Sequence, residues 1–381
     1  MVSLARPVLV LLVMLMAMTA GAGTAQADDG GAVSSFRVDA AHTGVMPGPG
    51  PTSAAEVKWK FGVQDYFLSS PAVVDGVVYS GSQTHMVYAV DAETGAEIWH
   101  FDTGWGDIFS SPAVVDGIVY IGCRCGTVFA IDAKTGQQVW SRVAQVSDSS
   151  PTVVDGVVYI GGGDSQASMF SALDARTGEQ LWQFKTGFGG IHTSAAVVDG
   201  VVYFGTYEPD STFYALDAAT GTEKWHYKLA RAPGAAPAVA DGVVYFGSND
   251  GNVYALDAAS GSKVWQATLG GLMVYGAPAV RDGLVVVENS DGVVAAFGAT
   301  DGSVVWQVDI GTGALTSPVI AGDVVYAGGG VGSFAALVLK TGSEVWHMQA
   351  ETASGAGPVI VGGVIYVGMY GGLFAFWTPS A

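Results

Sequence analysis

Few residues of this 381-residue chain combine a reactive type with a repeated position. Asp148 and His192 form the leading pair. Each stands three residues before a recurring proline position, held by Pro151 in one case and by Ala195 as its stand-in in the other. A carboxylate beside an imidazole at the mouth can bind a ligand or a cation. The same position in the other copies carries Leu68, Phe109, Gly234, Tyr275, Leu315 and Gly355. Asp65, Tyr66, Trp105, Asp107, Asp164, Phe188, Tyr207, Glu208, Asp210 and Arg231 are expected on the same face. From these, Asp148, His192, Trp105, Phe109, Tyr275 and Arg231 are the candidate ligand-binding set, and no residue is assigned as catalytic. The simpler reading is that Asp148 and His192 are solvated loop residues on one rim. The loops "GGGDSQASM" and "GTYEPDSTF" are the longest of their kind, and function concentrates in such loops.

The other reactive types offer less. Cys123 and Cys125 flank Arg124 in "GCRCG", a turn between two strands. They can close a local disulfide, stay as thiols or bind a soft metal, but two ligands are too few for a structural zinc site. The six histidines show no metal-ligand spacing. The runs Gly161-Gly162-Gly163 and Gly328-Gly329-Gly330 lack the Lys-Ser or Lys-Thr of a phosphate loop.

The elements that position these residues are repeats. Trp59, Trp99, Trp140, Trp182, Trp225, Trp265, Trp306 and Trp346 recur every 40 to 43 residues. Asp-Gly pairs keep step from Asp75-Gly76 to Asp282-Gly283, followed by Gly322-Asp323 and Gly362-Gly363. Each unit divides into four apolar runs of strand length, separated by turn residues. The inner runs are apolar on both faces, so the sheet must be covered on both sides. Identical sheets arranged around an axis cover one another, which predicts a β-propeller. The count predicts eight blades. The last unit has three strands, and "VKWKF" from Val57 precedes the first unit as an extra strand. That strand is expected to complete the last blade and remove the open edges.

The most regular stretch, "ALDAASGSKVW" from Ala255 to Trp265, reads as construction. A small alanine allows a neighbouring blade to approach. The Asp side chain can accept from the turn that follows. Gly261 supplies a positive φ, and Trp265 covers the junction between blades.

The pattern A-x-D-x-x-T-G-x-x-x-W, seen at Ala89 to Trp99, Ala130 to Trp140, Ala172 to Trp182 and Ala215 to Trp225, resembles the tryptophan-docking motif of the pyrroloquinoline quinone (PQQ) repeat family. The likeness weakens where Gly298 and Val338 replace the Asp. "FRVDAAHTG" from Phe36 resembles the lead-in of exported members. The resemblance spans roughly residues 36 to 377 and implies the propeller fold. It is shared by quinoprotein alcohol dehydrogenases, by the barrel-assembly lipoprotein of the bacterial outer membrane and by other exported propellers. The dehydrogenases resemble one another in a calcium held by Glu, Asn and Asp, a Trp against the quinone, an Asp base and a disulfide of adjacent cysteines. Here Trp105 could stack, and Asp107 or Asp148 could act as base. The only asparagines are Asn249, Asn252 and Asn289, in or beside turns, and Arg124 separates the cysteines. The resemblance therefore supplies no motif for PQQ or calcium, and no cofactor or metal is expected.

Composition bounds the rest. Half the residues are hydrophobic, 13% are charged, and glycine numbers 55. The net charge of −19 disfavours nucleic acid and anionic lipid. Residues 1–27 read as a secretory signal cleaved after Ala27, with an apolar run too short to span a bilayer. Residues 28–56, rich in Gly, Ala and Pro, read as a flexible lead-in, and residues 57–377 as the propeller. No lipid-anchor cysteine follows the cleavage site. The chain is expected to be a secreted or periplasmic monomer that binds a protein or peptide partner as a non-enzymatic scaffold or adaptor. The alternatives are a small-ligand-binding propeller and a PQQ-dependent dehydrogenase.

Overall fold

The computed structural model describes residues 32–62, 65–163, 168–271, 273–311, 316–328, 333–349 and 355–379. The expected signal at 1–27, Asp164 and Leu315 lie outside them. Among the described residues, no helix is long and apolar enough to cross a membrane.

Blade 1 is a meander of Ala72–Val74, Val77–Gly81, Met86–Asp91 and Glu97–Asp102. The other units repeat this order. Blades 1, 4, 5, 6 and 8 are four-stranded sheets. Blade 7 carries a fifth strand, Val45–Met46, laid parallel to its innermost strand Val319–Ala321. Blades 2 and 3 are joined, because the long outer strand Gln138–Val146 of blade 2 continues until Val146 pairs with Gly162 of blade 3. Blade 8 consists of Val359–Val361, Val364–Met369 and Gly372–Trp377, and its outer strand is Glu56–Phe61. The chain is thus an eight-bladed propeller whose N-terminal strand completes the last blade. The innermost strand of blade 8 lies beside that of blade 1.

Local chemistry explains the regularity. Seven of the eight inner hairpins turn on two residues of positive φ, such as Asp75 at 51° and Gly76 at 76°; in blade 7 only Gly322, at 60°, is positive. That is the mirror-image turn matching strand twist, and it favours Asp-Gly. Between blades, each repeat Trp donates its indole N–H to a carbonyl of the next blade. Trp99 reaches Ala133 at 2.9 Å and Trp140 reaches Ala175 at 2.9 Å. The indole lies flat on the glycine of the next blade's turn, where a Cβ on Gly136 would sit 2.8 Å from Trp99. The Asp of the motif accepts from its own turn, as Asp91 does from the Thr94 N–H at 2.8 Å. Where blade 8 has no such motif, Trp346 donates instead to Pro51 at 2.8 Å.

The expectation of a flexible lead-in is corrected for residues 33–46. The carbonyls of Val33, Ser34, Ala40, Ala41, Thr43 and Gly44 accept from the innermost strands, at Val73, Val114, Val197, Val239, Val280 and Ile320 respectively. Arg37 is buried and donates from Nη1 to Pro318 O and from Nη2 to Pro278 O, each at 2.6 Å. The segment therefore crosses the central channel. The reason is geometric: the innermost strands turn unpaired N–H groups toward the axis, and buried donors require acceptors. Gly, Ala and polar residues, which read as disorder by composition, are also those that fit so narrow a space.

Candidate functional site

The loops that enter each blade and the hairpins between its second and third strands meet on one face. Direct bonds link them, for example Arg124 N–H to Asp107 O at 3.0 Å and Tyr207 N–H to Gly190 O at 3.0 Å. At their centre is a cavity of about 180 Å³. Its floor includes Phe36 of the lead-in, so it is closed below. Its wall includes Leu68, Phe109, Asp148, His192, Gly234, Tyr275 and Gly355. These are the positions read three residues before each proline; Leu315 is the member outside the described residues.

Local structure positions the central pair. Val146 ends the extended blade 2 strand and packs where a Cβ on Gly122 would lie, 2.5 Å away, which carries the chain to Asp148. Ile191 is fully buried and sits over Gly161 in the same manner, which fixes His192. The imidazole Nδ1 and Asp148 Oδ2 are 2.9 Å apart. The ring of Tyr207 meets that of His192 edge-on at 4.8 Å.

The sequence reading missed Arg124. Its Nε donates to Asp148 Oδ1 at 2.6 Å and its Nη2 to Oδ2 at 3.0 Å, a two-pronged bond. Its guanidinium also lies over the Phe109 ring, 4.0 Å from the centroid. The available signal was its place at the tip of a hairpin pointing to this face. Burial alone would raise the Asp148 carboxyl; the bonds from His192 and Arg124 outweigh it and bring the group down to about 2. Asp148 is thus an anion with both oxygens engaged. Cys123 and Cys125, on either side of Arg124 in this hairpin, are joined to each other.

Two candidates are not part of the cavity wall. Arg231 pairs with Glu208, because a nearer carboxylate captures its guanidinium. Trp105 is 67% exposed on the crest of its loop. Asp65 is buried and accepts from Tyr66 N–H at 2.7 Å and from Thr84. Asp210 accepts from Thr206, Thr212, Tyr214 and Lys228. Both carboxylates hold loops in shape. Tyr66, which meets Tyr370 edge-on at 4.9 Å, and Phe188 remain exposed on the same face.

The family model described as outer membrane protein assembly factor BamB matches residues 52–172, 83–235, 166–272 and 209–380. The chain belongs to that family. Solved structures of similar shape include BamB from Moraxella catarrhalis, with a TM-score of 0.71, 19% identity, and coverage of 86% of this chain and 100% of that one. Quinohemoprotein alcohol dehydrogenase from Comamonas testosteroni has a TM-score of 0.78 and 18% identity, covering 92% of this chain and 81% of that one. The computationally designed Ika8 protein has a TM-score of 0.72 and 19% identity, covering 86% of this chain and 100% of that one. At such identities the likeness concerns the fold. No curated protein matches the sequence.

For this BamB-family propeller, the residues at the mouth do not fit a quinone with calcium. Asp148 is already held by Arg124 and His192. Among the described residues, no three His, Cys, Asp or Glu converge to hold a metal ion. Trp105 is not on the cavity wall. The cavity of about 180 Å³ is below the roughly 300 Å³ at which pockets for drug-sized ligands begin, and among the described residues no cationic side chain on its wall is free to meet a carboxylate-bearing quinone.

Proposed function

We propose that this chain is an exported, non-enzymatic propeller that binds a partner polypeptide through its loop face and acts as a scaffold or adaptor in the cell envelope or extracellular space. The observation that carries the reading is the group of aromatic side chains left in water on that face. Trp105 is 67% exposed and Phe188 62%. Tyr66 and Tyr370 stand as a pair on the same side of the disk. Aromatic anchors of this kind lose little side-chain entropy on binding and are enriched at the centres of protein interfaces. Membership of a family described by outer-membrane assembly supports the same reading. So does the channel, which the chain's own lead-in crosses.

A photo-crosslinking residue placed at Trp105 or at Phe188 tests it. Defined envelope proteins are expected from both positions. None is expected from a control at Asp155, in a hairpin on the opposite face. Absence of adducts from the loop face, or the same adducts from both faces, would overturn the reading.

A further inference from the structure

We infer that the channel mouth is a binding site for a neutral, polyhydroxylated small molecule about the size of one sugar ring. The inference is independent of the protein-binding role and concerns a different part of the face.

The cavity has a hydroxyl wall built by a relay between blades. The backbone N–H of Gly357 donates to Ser70 Oγ at 2.9 Å, that of Ser70 to Ser111 Oγ at 3.0 Å, and that of Ser111 to Ser150 Oγ at 2.9 Å. Ser150 N–H donates to Ser194 Oγ at 3.0 Å, and Ala277 N–H to Ser317 Oγ at 2.9 Å. All five serines line the cavity. A hydroxyl has one donor and two acceptor sites, so each serine retains its O–H after accepting the neighbour's N–H. Among the described residues, none of these O–H groups has an acceptor. The serines one position earlier behave differently. Ser110 and Ser149 accept from Gly122 and Gly161 within their own blades and hold strand to strand. The lining row alone presents donors to the space at the axis, and buried donors call for acceptors.

The opposite wall is apolar. Ala236 and Ala277 stand where the relay would have hydroxyls, and Phe36 packs against them and Ala235. Tyr275, in the loop entering blade 6, extends this side. One wall of hydroxyls and one of rings match a molecule with hydroxyls at its edge and C–H groups on its face. The charges argue for neutrality. Asp148, the cavity's carboxylate, is bonded on both oxygens, and its partners Arg124 and His192 are engaged by it. The net charge of −19 opposes an anion. A cavity of about 180 Å³ is on the scale of one small ring, a single pyranose or cyclitol, and not of a longer saccharide.

Saturation-transfer NMR on the folded protein would test this with glucose, galactose and myo-inositol as probes, and with inorganic phosphate and acetate as the anion arm. Concentrations up to roughly 10 mM capture millimolar dissociation constants. At least one polyol is expected to show transfer to its ring protons. Its affinity should fall about tenfold, the loss of roughly one good hydrogen bond or ring contact, in Ser150→Ala and in Tyr275→Leu. If Ser150→Ala does not fold, Tyr275→Leu alone decides. No signal from any polyol, binding of phosphate or acetate in their place, or undiminished affinity in a folded variant would each overturn the inference.

Discussion

At the scale of single residues, Glu288 is the clearest departure from the repeat. Gly81, Gly205 and Gly247 occupy its register in other blades. There the loop entering the next blade leaves no room, and a Cβ on Gly81 would lie 2.2 Å from Ile108. Glu288 is instead fully buried. One oxygen accepts from Thr316 at 3.5 Å and from Gly328 N–H at 3.4 Å, while Oε1 has no partner. Burial pushes the carboxyl from 4.5 up to about 8, against the two bonds, which lower it. The folded protein therefore prefers the neutral acid, whereas the unfolded chain ionises above about 4.5. Stability is complete below that pH and falls as pH rises toward about 8. Glu288→Gln should flatten this slope and raise stability above pH 8 by on the order of a few kcal/mol. Urea unfolding at both ends of the window measures it; an unchanged slope would show that another group is responsible.

At the scale of elements, the contact between blades is a shared carbonyl. Ala133 O accepts from Trp99 at 2.9 Å and from Tyr79 Oη at 3.2 Å. Blade 6 has Val286 where blade 1 has Tyr79, so Leu339 O accepts from Trp306 at 2.7 Å with no tyrosine to share it. Replacing either Trp by Ala removes a buried indole and should cost about 3–5 kcal/mol. Replacement by Phe keeps the ring and removes the donor. Trp306→Phe should then cost about 1 kcal/mol more than Trp99→Phe, because it leaves a buried carbonyl without its side-chain donor. Denaturant titration of the two variants measures the difference; equal costs would mean that the indole acts by packing alone.

At the scale of the whole molecule, the disk is held by two uses of its N-terminal region. Glu56–Phe61 completes blade 8, and residues 33–46 cross the channel. The first removes the edges of an open sheet. The second gives the innermost strands acceptors and closes the floor of the mouth. Deleting the chain up to Gly44 should keep the blades but orphan inward-facing N–H groups, each costing about 1–3 kcal/mol if left unpaired. The melting temperature should fall by on the order of 10 °C, measurable by calorimetry. A shortened chain that melts like the full one would show that water replaces the segment without loss.

What the sequence determined by itself is whatever occurs many times over. Blade number, hairpin positions, the tryptophan ladder and the circle of positions around the mouth all follow from local patterns, because each copy repeats the same short-range physics. The circle was legible as a place but not as a chemistry. That Asp148 meets Arg124 as well as His192, that Arg231 turns to Glu208, and that Glu288 is buried without a partner for Oε1 depend on segments far apart in the chain that occur once each. The route of the lead-in is the strongest case. Nothing in "FRVDAAHTG" states that its carbonyls will face the inner strands of the blades. Only the closed ring creates the axial row of unsatisfied N–H groups that draws it in.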